Sequence, residues 1–153
     1  MNSQSPKKET LKQILEALKE SKKTLNHSLK LCSGLEKKSS YSLEDLDKLE
    51  ALTSRFSRVS DILIQKAFRA IDDIELVDSG SILDRIQRAH KRELIESADE
   101  FIQIRELRNS IAHEYKITDL NEIFRLCILK SPTLVRAIDK VIEYCKKHHE
   151  IES

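Results

Sequence analysis

Glycine and proline are almost missing from this chain, with two of each in 153 residues. A sheet protein of this size needs many tight turns, and turns draw on the backbone freedom of glycine and the fixed φ of proline. Their scarcity predicts long helices and few connections. Tryptophan is absent and aromatic residues make up 5%, so the core has to be built from Leu, Ile, Val and Ala. No apolar run approaches the roughly 20 residues of a membrane span. The opening MNSQSPKKETLKQ lacks the apolar stretch of a secretory signal. The cysteines are odd in number (Cys32, Cys127, Cys145) and none has CxxC spacing. That pattern predicts reduced, buried thiols in a cytoplasmic protein. There is no Gly-rich phosphate loop and no carboxylate cluster for a metal, so neither cofactor nor metal is expected. The Gly-Ser and Asp-x-Asp features of a nucleotidyltransferase are missing too.

Charged residues are 35%, hydrophobic residues 39%, and the net charge is +1. This balance suits one helical domain with solvated outer faces and excludes a generally polycationic nucleic-acid binder. The charge is uneven, with nine lysines against four glutamates in residues 1–40. Such a run could steer a polyanion, but it reads first as a solvated helix face.

Residues 1–9 are polar and read as a flexible terminus. From Thr10, the spacing of Leu11, Ile14, Leu15, Leu18, Leu25 and Leu29 predicts an amphipathic helix that stops near Gly34. Ser42 with Asp45 is an N-cap signature. It opens a second helix carrying Leu46, Leu49, Leu52, Phe56, Val59, Leu63, Ala67, Ala70 and Ile74, which breaks at Asp78-Ser79-Gly80. Ser81 with Asp84 caps a third, with Leu83, Ile86, Leu94, Ala98, Ile102 and Leu107 on its apolar side, running to about Glu114. Thr118 or Asp119 caps a fourth through Leu129. Ser131-Pro132 starts a fifth, because proline fits the first helical turn. The expectation is a single all-α domain over 10–149, an up-and-down bundle of four to five helices.

Arg-x4-His occurs twice. Arg85 to His90 reads as a polar helix face. Arg108-Asn109-Ser110-Ile111-Ala112-His113-Glu114-Tyr115 is richer: within eight residues it joins a fixed cation, an imidazole and a phenol. Histidine can move protons near neutral pH, and arginine can hold a phosphate and stabilise charge developing on it. Five residues on an ideal helix rotate by about 140°, so Arg108 and His113 do not share a face. A distorted last turn, or a second copy of the chain, would be needed to bring them together. Phe101, Ile104, Arg105 and Ile111 are candidates for such a homodimer interface. The bland alternative is a surface salt bridge from Arg108 to Glu106 or Glu114. Cys145 with His148 or His149 has helical spacing for two metal ligands, but two do not make a site, and this stretch reads as a frayed last turn. His27 reads as an exposed helix residue.

Arg-Asn-x-x-Ala-His-x-Tyr resembles the signature of the HEPN superfamily, specifically its HepT-like toxins, which pair with a minimal nucleotidyltransferase antitoxin in prokaryotes. The resemblance spans about residues 10–147 and is carried by 101–117. It implies a metal-independent endoribonuclease, active on RNA as a homodimer. Arg108 and His113 would be the catalytic pair and Asn109 its supporting polar residue. Tyr115 would be the AMP acceptor through which the antitoxin silences the toxin. Glu106 and Glu114 beside the motif would repel RNA, which keeps open a second expectation: a non-catalytic HEPN binding module that partners a nucleotidyltransferase.

Overall fold

Ser5 and Pro6 begin the first helix, four residues earlier than the apolar periodicity indicates. The Ser5 hydroxyl accepts from Lys8 N at 3.2 Å, and Pro6 occupies the turn where its missing N–H costs nothing. In this computed structural model, residues 5–78, 80–113 and 120–152 are described. α1 runs over Pro6–Leu31. Gly34, at φ 87, then opens a 3-10 turn over Leu35–Lys37. Within the lysine-rich stretch 1–40, Lys22 pairs with Asp139, Lys23 with Glu20 and Lys38 with Asp45.

The second rod is continuous but not uniform. Ser42 and Asp45 form a reciprocal capping box at 3.1 and 3.2 Å, and α2 follows over Leu43–Asp61. A π segment occupies Ile62–Ala67, where Phe68 N donates to Leu63 O, five residues back. α3 completes the rod over Phe68–Ile74. Ile64 O, whose α-helical donor has turned to Leu63, accepts from Arg85 Nη1 at 3.1 Å. Arg85 is therefore buried, not part of a polar face as the sequence suggested. His90 and His27 are exposed.

The expected third helix is two helices, α4 (Ile82–Lys91) and α5 (Ala98–His113). Ser81 and Asp84 cap α4 as anticipated. Glu93, at φ 62, then takes the left-handed position that stops α4. Leu94 and Ile95 plug the core, and the Ser97 hydroxyl accepts from Glu100 N at 3.1 Å to start α5. Ser97-Ala98-Asp99-Glu100 is itself a cap signature that the apolar spacing hid. Leu83 is 49% exposed rather than on the buried side.

The expected fourth and fifth helices are one. α6 runs over Leu120–His149 with Pro132 inside it, and the Ser131 hydroxyl donates to Cys127 O at 2.6 Å beside the proline. Thr118 and Asp119 lie outside the described residues. The result is an all-α fold of five packed rods, without strands among the described residues. α1, α2 and α6 pack on one another; α5 lies against α2 and α6, and α4 against α3 and α5. Asp72, fully buried, accepts from Arg88 and Arg92 and ties α3 to α4. No helix among the described residues is long and apolar enough to cross a membrane.

Candidate functional site

α5 buries Phe101, Ile104 and Leu107 along one line. The helical repeat then puts Arg105, Arg108 and Asn109 on the flank that faces the end of α2. Phe101 and Ile104 are fully buried in the chain's own core, so they cannot form the homodimer surface assigned to them from sequence. Arg105 and Ile111 remain partly exposed.

Arg108 does meet a carboxylate, but not a neighbour on its own helix. Its Nε donates to Asp61 Oδ1 at 2.7 Å and its Nη2 to Asp61 Oδ2 at 2.8 Å. Asp61 is the last residue of α2, where the rod passes into the π segment. The hydrogen bonds that Arg108 donates to Asp61 hold its guanidinium pKa above its ordinary value, against the opposing effect of partial burial. Guanidinium has five N–H donors. Asp61 engages two of them along the side edge, which leaves three, including both on Nη1. A clamped arginine of this kind keeps its end edge for a second anion while its direction is fixed.

The pair stands in a cleft of about 380 Å³ lined by Ser60, Asp61, Ile64, Gln65, Lys66, Arg105, Arg108 and Asn109. The structure therefore brings together Arg108 and Asn109. His113 is exposed on the last turn of α5 and does not line this cleft. Tyr115 and Glu114 lie outside the described residues. Glu106 is exposed and does not face the cleft either.

Comparisons with protein-family models, curated proteins and solved structures give no match for this chain.

The remaining candidates take structural roles. Cys145 is buried, and burial pushes its thiol up to about 12. The end of α6 is not frayed as its sequence suggested. Tyr144 Oη donates to Glu75 Oε2 at 2.6 Å, His149 Nε2 lies 2.8 Å from the same oxygen, and Ile151 is buried beyond them. Among the described residues, no group of three or more His, Cys, Asp or Glu is arranged to hold a metal ion. The residue that sequence reasoning missed is Asp61. Its signal was a polar line on the second rod, Arg58, Asp61, Gln65 and Arg69, spaced by three and four between the apolar positions.

Proposed function

We propose that this chain is a metal-independent endoribonuclease toxin of the HepT-like kind, cutting RNA through Arg108 and His113 at a homodimer cleft. The observation that carries the reading is the Asp61 clamp on Arg108, beside Asn109 and Arg105 in one cleft. It aims a permanently charged fork and leaves its end edge for a phosphate. In the reaction a ribose 2′-OH loses its proton to a base and attacks its own phosphorus. The P–O5′ bond breaks, and the leaving oxygen takes a proton. His113 suits either proton step. Arg108 stabilises charge on the non-bridging oxygens. The products are a 2′,3′-cyclic phosphate and a 5′-hydroxyl, because the nucleophile belongs to the RNA.

Arg108 lines the cleft and His113 does not, which fits a site completed by a second copy of the chain. A two-fold axis beside α5 would set the His113 of one protomer against the Arg108 of the other. Tyr115, two residues beyond His113, is the proposed AMP acceptor for a minimal nucleotidyltransferase antitoxin. The added anion would compete with RNA for the same guanidinium.

The test is expression of the wild-type chain beside Arg108→Ala and His113→Ala, with purified protein assayed on RNA with and without EDTA. The expected result is growth arrest and EDTA-resistant cleavage by wild type alone. Equal arrest by all three chains sinks the catalytic assignment. A second reading, a non-catalytic module that partners a nucleotidyltransferase, draws on the same ion pair, since Asp61 already neutralises Arg108. A homodimer that binds such an enzyme tightly and leaves RNA intact would favour it.

A further inference from the structure

The site cleft does not end at Asp61. A second cleft of about 920 Å³ shares Asp61, Gln65 and Lys66 with it and continues between α1 and the second rod, past Arg58 and Arg69. Together the two hold five cations, Arg58, Lys66, Arg69, Arg105 and Arg108, against two carboxylates, Asp61 and Asp73. This local excess of three exceeds the +1 of the whole chain. Pairing sharpens the contrast. Arg88, Arg92, Arg108, Arg125 and Arg136 each bind a carboxylate, while Arg55 and Arg85 donate to neutral oxygens. The three arginines with no hydrogen bond or ion pair among the described residues are Arg58, Arg69 and Arg105, and all three line this groove, as does the equally unpaired Lys66. Arginines spaced along one groove with no carboxylate bound to them are placed for a linear polyanion rather than for folding.

We propose that this groove is the track for single-stranded RNA leading to Arg108, with Arg58, Lys66, Arg69 and Arg105 as phosphate contacts. The proposal rests on the nuclease reading and extends it to the form of the substrate. From Arg58 to Arg69 the rod covers about 16 Å at 1.5 Å per residue, several nucleotides of an extended strand. An unpaired strand is required on chemical grounds, because attack of the 2′-OH in line with O5′ needs a backbone free to rotate. Unpaired bases can also lie on guanidinium planes, which no aromatic residue in either cleft replaces.

The test uses the whole chain carrying His113→Ala, a labelled oligouridylate of about twelve nucleotides and fluorescence anisotropy across a salt series. Four phosphate contacts on a single strand, leaving out Arg108 because Asp61 already neutralises it, predict a loss of affinity of about fifty-fold between 50 and 200 mM salt. Adding Arg58→Gln, Lys66→Gln and Arg69→Gln, all at exposed positions, should weaken binding and leave a loss of only about threefold. Unchanged affinity and salt slope in that variant would overturn the proposal. So would equal affinity for a duplex, or displacement by polyglutamate at matched charge, which would point the groove at an acidic protein instead. Binding that follows these cations in a wild-type chain that cuts no RNA supports the groove while sinking the nuclease reading. Cleavage that persists unmoved in the triple variant overturns the groove alone.

Discussion

Asp61→Asn separates what the clamp does for stability from what it does for function. The substitution keeps the side-chain size but removes the charge that aligns Arg108. Side chains of Arg108 and Asp61 are 29% and 39% exposed, so solvent screens the pair and its worth to folding is about 0.5 kcal/mol. The midpoint of thermal unfolding should fall by about 1–2 °C for a domain of this size. A double-mutant cycle with Arg108→Gln should return a coupling energy below about 1 kcal/mol. Catalysis should suffer more. Removing a group that contacts the transition-state charge costs about 10²–10³ in rate. Asp61 acts through Arg108, so a loss of about ten- to a hundredfold is expected in kcat, with KM for RNA little changed. Arg108→Lys should not restore the rate, since an ammonium cannot be held along one edge while presenting another. The assay is cleavage of a fluorogenic RNA beside thermal and urea unfolding of the same preparations. A wild-type kcat in Asp61→Asn would refute the positioning role. A faster enzyme would refute it too, by making Asp61 a competitor of the phosphate.

Asp72→Ala should behave in the opposite way, costing about 3–5 kcal/mol in urea unfolding, because it removes the fully buried carboxylate on which Arg88 and Arg92 converge and leaves Arg92 only Glu75. Glu75 is held below its ordinary pKa: burial pushes it up, but hydrogen bonds from Tyr144 and His149 and the charge of Arg92 outweigh burial. A depressed carboxylate stabilises the fold above its unfolded pKa, so stability measured against pH should be flat above about 5 and fall as pH drops through the low 4s and below. Glu75→Gln should flatten that acid limb. Glu93→Gly should match or exceed wild-type stability by up to about 1 kcal/mol in the same urea experiment, because φ 62 suits glycine. Cys127 and Cys145, with burial pushing both thiols up to about 12, should stay unmodified by a thiol-exchange reagent at pH 8 until the chain unfolds.

The helical class was legible because it follows from composition and from apolar residues spaced by three and four. Both capping boxes were legible as well, since Ser42–Asp45 and Ser81–Asp84 act within one turn. Two connections were misjudged for opposite reasons. Pro132 looked like a start, but packing of Leu134, Ala137, Ile138 and Val141 in line with Phe124 and Cys127 carries the helix through it. Lys91–Ser97 carried neither glycine nor proline, so the stop built on Glu93 left no mark in the periodicity. The motif singled out Arg108 and Asn109, which line the cleft, and His113, which does not, and nothing in it pointed to Asp61. That contact joins residues 47 apart and depends on how α2 lies against α5, which is a property of the packed core. The same reason defeated Phe101 and Ile104 as interface residues, because the face a helix buries is set by its neighbours.

The π segment gives the second rod an unusual kind of freedom. One extra residue per turn over Ile62–Ala67 is a splice between two α stretches, and each stretch keeps its own buried line whether or not the splice is present. Chain length can therefore change there by a single residue while Phe56 and Val59 on one side, and Phe68 and Ile71 on the other, stay in the core. What would change is the outer wall formed by Gln65 and Lys66. A chain lacking Gln65 should still unfold cooperatively, with its groove reshaped and its apolar lines kept, but at lower stability because the buried Arg85 loses Ile64 O and Gln65 Oε1 as acceptors. The rod thus concentrates tolerance to insertion and deletion on the surface beside Arg108, where variation reshapes the cleft wall and spares the apolar lines on either side.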